Sequence, residues 1–193
     1  MKNPLGTEPI SKLMVKFAVP SIVAMMVSSI YNIVDQLFIG QAIGTLGNAA
    51  TNVVFPLNIS CTALALLFGI GGASCYNLAL GRGEKERAPQ FMGSALSMLA
   101  ICGIVLCLIT EIFTTPILIA FGTPDDVFPY AEEYVRAVAV GFPFLLLTTG
   151  GGHLIRADGS PSYSMTCTVS GAVLNVFLDW LFLFVFHWGI EGA

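Results

Sequence analysis

An all-α integral membrane fold of about five transmembrane helices is what this sequence predicts, on three observations. Hydrophobic residues make up 55% of the chain and charged ones only 10%, too little polar surface to cover a soluble domain. The mean hydropathy is +0.82. The apolar residues also gather into runs at about 14–39, 53–80, 91–113, 127–155 and 162–186. Each can cross a hydrocarbon core of about 30 Å at about 1.5 Å per residue. Residues 1–193 then form a single membrane domain. The net charge of −4 is segregated along the chain, so it leaves no basic face for a nucleic acid, and the lipid bilayer is the expected surrounding.

The first run follows a polar lead carrying Lys2, Lys12 and Lys16. It is too long for a signal peptide, is broken by Pro20 and ends without a small-residue cleavage site, so it is expected to stay as a span. Pro20 marks a kink or hinge, and Asn32 and Asp35, three apart, share a face. Residues 40–52 read as a glycine-containing loop. The second run is bent or tilted at Pro56 and carries Gly69, Gly71, Gly72 and Ala73, which would let another helix approach closely. No Lys-Ser/Thr follows these glycines, so they are no phosphate loop.

The sequence GRGEKERAPQ at 81–90 is a charged loop with Gly81 as the expected helix C-cap. The third run has Glu111 near its end, and a short apolar piece at 117–121 is expected at the interface. Thr123-Pro124-Asp125-Asp126 has the order of a helix N-terminus: a capping hydroxyl, a proline and two acids. Ser160-Pro161 repeats the cap-then-proline start for the last run. The five cysteines all lie inside apolar runs without metal-ligand spacing, so neither a disulfide nor a zinc site is expected. His153 and His187 stand apart from any nucleophile, which argues against an enzyme.

Basic residues set the orientation. Lys2, Lys12, Lys16, Arg82, Lys85, Arg87 and Arg156 all fall on one side of the predicted spans, and by the positive-inside rule that side is the cytoplasm. The N-terminus is then cytoplasmic and residue 193 outside, with Trp188 in an outer aromatic belt. In this arrangement Asp35 and Asp179 lie in the outer half of the first and last spans, about 5 Å apart in height, with Asn32 and Asn175 one turn below each. A carboxylate at bilayer depth costs at least about 2.5 kcal/mol and usually has a partner or a task. Two close carboxylates in a low dielectric do not readily both ionise, so one could carry a proton. The same oxygens and the Asn carbonyls could ligate Na+. Alternatively, either acid pairs with Arg136 and only fixes helix packing.

Pro20, Tyr31-Asn32 with Asp35, Leu80-Gly81-Arg82-Gly83-Glu84, Arg156-Ala157-Asp158-Gly159-Ser160-Pro161, Asn175 with Asp179, and Gly189-Ile190-Glu191-Gly192-Ala193 occur in this order. Together they resemble the multidrug and toxic compound extrusion (MATE) family along essentially the whole chain. The resemblance implies a secondary antiporter, with no cofactor, that exports organic cations or amphiphiles as H+ or Na+ moves inward across the cell membrane. It implies a twelve-helix, pseudo-symmetric fold of which these spans form most of the N-terminal six-helix lobe. Coupling would fall to Asp35, Asn175 and Asp179, the only residues expected to hold a Na+; Asn32 joins them by spacing alone. The missing C-terminal half, or a second subunit, is then expected to be needed for transport. Two other readings stay open: a lipid-linked precursor flippase of the same superfamily, and a non-transporting membrane partner or inactive fragment docking through the glycine-rich second run.

Overall fold

The computed structural model describes residues 9–186. His187, Trp188 and the Gly189–Ala193 motif at one end, and Lys2 at the other, lie outside them. The described residues form six α-helices and no strand: α1 (Ile10–Ala42), α2 (Thr45–Gly81), α3 (Ala88–Ile112), the short α4 (Thr114–Ala120), α5 (Phe128–Ala157) and α6 (Pro161–Trp180), which runs on into a π-helical turn at Leu181–Val185. Five of these elements are long and apolar enough to cross a membrane, as predicted, and the chain is a multi-pass membrane protein.

Turn chemistry explains the joints. α1 and α2 are separated only by Ile43 and Gly44, the latter at φ +89°, a conformation that favours glycine. Residues 40–52 are therefore mostly helical rather than the expected loop: one left-handed residue reverses the chain, and the polar residues around it sit on helix faces. At the other end of α2, Gly81 is still helical. Gly83 takes the left-handed position instead, its N–H reaching Leu80 O at 3.0 Å while the Glu84 N–H reaches Ala79 O at 2.9 Å. This is a Schellman turn, and the same pattern ends α4 at Gly122 and α5 at Gly159. Thr123, expected to cap the next helix, belongs to that turn: its hydroxyl donates back to Leu118 O at 2.7 Å, and α5 starts only at Phe128. Ser160 precedes α6 as expected, with Pro161 in its first turn, although no side-chain capping bond forms.

The helices sort into two groups. α2, α3 and α5 pack along one another over their length, whereas α1 packs chiefly against α6. Small residues bring the first group together. A Cβ on Gly69 would lie 2.7 Å from Gly150 Cα, one on Gly103 2.5 Å from Pro143 Cα, and one on Gly72 2.4 Å from the Ala95 methyl. Two layers of buried side chains add to these contacts, one between α2, α4 and α5 around Val54, Leu118 and Val135 and one between α2, α3 and α5 around Cys61, Leu99, Phe142 and Leu146. Gly69 and Gly72 are thus used inside the fold, whereas Gly71 of the same run stays exposed. The α1–α6 pair meets at Phe38 and Phe184, whose rings stand edge to face 5.5 Å apart. Pro20 is buried within an α1 that is otherwise widely exposed, and the helix continues through it.

Candidate functional site in the seam between helix groups

Two cavities occupy the seam between the α1–α6 pair and the other helices. The larger, about 1030 Å³ and half open, lies between α1, α2 and α5. The smaller, about 800 Å³, lies between α1, α5 and α6. Asp35 and Asn32 face the first, and Asn175 the second. Asp179 lines neither. It is 4% exposed, the one acid of α6, and is buried two residues before the helix widens into its π-turn. Such turns recur at functional positions because they displace the backbone ladder locally.

The Asn175 amide donates to Asp179 Oδ1 at 3.3 Å, a spacing of one turn on α6. The other oxygens of this pair, Asn175 Oδ1 and Asp179 Oδ2, are both buried without a hydrogen-bond partner among the described residues. Such oxygens are costly unless something binds them. Asp35 and Asp179 act on one another electrostatically across the α1–α6 contact. Both also act on Tyr134 of α5, a half-buried residue that lines the larger cavity and approaches the pair from the opposite helix group. Asp35 has a side-chain hydrogen bond with Gln36, and Gln36 Oε1 accepts from the Thr51 hydroxyl of α2 at 3.1 Å.

Asn175 and Asp179 are therefore joined by a hydrogen bond on α6, and Asp35 lies on α1, the helix that packs chiefly against it. Asn32 is not joined to them: its amide donates to Ser28 O at 2.7 Å in its own helix, and its side chain is exposed on the cavity wall. Arg136 pairs with neither acid of the site. It reaches Glu132 at 3.0 Å and Glu111 at 3.8 Å at a half-exposed position. Sequence reasoning missed Tyr134, Gln36 and Thr51. Gln36 was legible as a polar residue beside Asp35; Tyr134 had no signal, since a tyrosine in an apolar run is ordinary packing.

Helical and multi-pass, with an acid buried inside its last span, the chain has the architecture of a polytopic membrane protein. The MatE family profile matches residues 20–181, and the chain belongs to that family. Over 184 residues it is 26% identical to the multidrug export protein MepA of Staphylococcus haemolyticus, covering 95% of this chain and 41% of that protein. It is 27% identical to the probable multidrug resistance protein YoeA of Bacillus subtilis, covering 92% of this chain and 39% of YoeA. The solved structure of the MATE multidrug transporter DinF-BH in complex with R6G superposes with a TM-score of 0.92 at 32% identity, covering 97% of this chain and 42% of the other. The chain thus spans about 40% of the length of the relatives it matches.

Proposed function

We propose that the protein is a secondary active antiporter that exports cationic or amphiphilic organic compounds in exchange for H+ or Na+, and that residues 1–193 supply most of its N-terminal lobe. It would act in the cytoplasmic membrane with its basic loops inside, and its chemistry would be transport rather than catalysis. The observation carrying this reading is the pair of buried, unpartnered oxygens on Asn175 and Asp179 beside the Asp35 carboxylate. A proton on Asp179 Oδ2 would remove the charge. A Na+ would instead be held by oxygens of Asp35, Asn175 and Asp179, the donor type that ion prefers. Names and folds of the MATE relatives support drug export as the task.

In this mechanism ion occupancy changes how α1 sits against α6. Pro20 is the weak point, because its missing N–H leaves the Lys16 carbonyl without its helical donor. Asn32 is a weaker candidate for the same site and serves as a cavity-wall residue. The cavity that Asp35 faces is lined by Tyr31, Tyr134, Phe55 and Asn58, a mix of aromatic faces and amides suited to an organic cation. The test is efflux by the whole transporter with Asp35→Asn or Asp179→Asn. Each substitution is expected to lower gradient-driven drug efflux severalfold or more. Undiminished efflux in both variants would overturn the proposal, and transfer of a lipid-linked precursor with no drug efflux would favour the flippase.

A further inference from the structure

We infer that Arg156, beside His153, forms a binding site for the phosphate of an anionic phospholipid headgroup at the basic end of the cavity between α1, α5 and α6. This site does not depend on the antiport reading. Both residues line the cavity, one turn apart on the last part of α5. The guanidinium is fixed in place: Arg156 Nε donates to Ser164 Oγ at 3.2 Å, and that hydroxyl, 2% exposed, donates to Gly152 O at 3.2 Å. The terminal N–H groups of Arg156 remain for a ligand, in the fork that suits phosphate oxygens.

No counter-charge from the described residues balances this cation. The cavity lining contains no Asp or Glu. Asp158, the nearest acid in sequence, instead accepts a hydrogen bond from Tyr76 OH at 2.7 Å. The C-terminal carbonyls of α5 offset a partial charge of about half a unit, which leaves a net positive site. Its position favours a lipid over a soluble anion. Arg156 lies at the same end of the helices as the loop carrying Arg82, Lys85 and Arg87, since the Tyr76–Asp158 bond ties the end of α5 to the end of α2, and the cavity runs from it past Cys167 and Ala172 to Asn175. From Ser164 to Asn175 that is about 16 Å along α6, long enough for part of an acyl chain. Its rim includes Met25 of α1, 69% exposed.

The test measures lipid binding to the purified full chain in a neutral detergent by native mass spectrometry. The probes are phosphatidylglycerol, phosphatidylcholine and inorganic phosphate. Wild-type protein is expected to bind phosphatidylglycerol at least about tenfold more tightly than phosphatidylcholine, equivalent to about 1.4 kcal/mol. Arg156→Gln should abolish the preference, Arg156→Lys should keep part of it as a point charge, and Arg82→Gln, outside the cavity, should leave it intact. Displacement of phosphatidylglycerol by inorganic phosphate in wild type but not in Arg156→Gln would keep the phosphate site and identify a soluble source for its ligand. Equal binding of the two lipids by wild type, or a preference that survives Arg156→Gln, overturns the inference. Should Arg156→Gln not fold, a bulky maleimide on the cavity residue Cys167, in a Cys75→Ser background, takes its place. The preference then falls if the lipid occupies this cavity, and an unchanged preference refutes it.

Discussion

Replacing Gly69 or Gly103 by alanine should loosen the α2–α3–α5 group by a predictable amount. The added Cβ of Gly69→Ala would stand 2.7 Å from Gly150 Cα and 2.8 Å from Gly150 O; that of Gly103→Ala would stand 2.5 Å from Pro143 Cα. Carbon atoms prefer about 3.5–4.0 Å, so each substitution must move two backbones apart by about 1 Å. Backbone cannot swing aside as a side chain can, and overpacking of this kind costs about 1–3 kcal/mol. Alanine also gains about 0.8–1.0 kcal/mol over glycine in a helix. That gain is shared by Gly71→Ala, Gly93→Ala and Gly141→Ala, whose new Cβ atoms would meet nothing within 4 Å. The comparison therefore isolates the contact, and the two crowded variants should fall below the three open ones by about 1–3 kcal/mol. Equilibrium unfolding of the purified chain in mixed micelles, read by helical circular dichroism, measures the gap. Equal stability across all five variants would refute the close approach of these helices.

Two further outcomes follow from side-chain surroundings. Arg136→Gln should change stability by no more than about 1 kcal/mol, because its partners Glu132 and Glu111 hold it at a half-exposed position; a loss of about 3–5 kcal/mol in the same unfolding experiment would mean that Arg136 neutralises a buried acid instead. In single-cysteine variants of the folded chain, Cys61, 1% exposed, should resist a maleimide until the protein unfolds, whereas Cys167 on the cavity wall should react; labelling of Cys61 at the rate of Cys167 would contradict the packing around Phe142 and Leu146.

Much of the fold was legible because the bilayer leaves few choices: an apolar run of sufficient length has to be a helix. The depths of Asp35 and Asp179 are an expectation of the same kind, since a helix of known rise converts sequence position into depth. The failures are of two physical kinds. Gly81 and Thr123 carry the right residue types for a cap, but each lies beside a better placed competitor. Gly83 can take the left-handed conformation two residues later, and the Thr123 hydroxyl donates to Leu118 O at the end of the preceding helix instead of accepting from N–H groups of the following one. Residues 40–52 look polar enough for a loop, yet Asn48, Thr51 and Asn52 are three and four apart and project from one face of α2 into a cavity. Which residues meet across helices was not legible at all. Tyr134 reaches the acids only because α5 packs where it does, and Asn32 misses them because a carbonyl of its own helix holds its amide.

The division into two helix groups bears on how much an ion could accomplish. Contacts between the α1–α6 pair and the α2–α3–α5 group are sparse, and both cavities lie along that seam. Asp35 and Asp179 belong to the pair, while Tyr134 faces them from the group, so a change of charge acts where the packing is weakest. Reversing a conformational ratio of 1:99 requires about 5.5 kcal/mol of differential stabilisation. One carboxylate at membrane depth is worth about 2.5–3.5 kcal/mol, which would bring such a ratio only to roughly even. One H+ or Na+ shared by two carboxylates still cancels a single unit of charge, so it supplies that amount once and not twice. In the proposed antiporter ion binding alone would therefore leave the two conformations mixed, and the exported compound's own differential binding has to supply the rest of the bias.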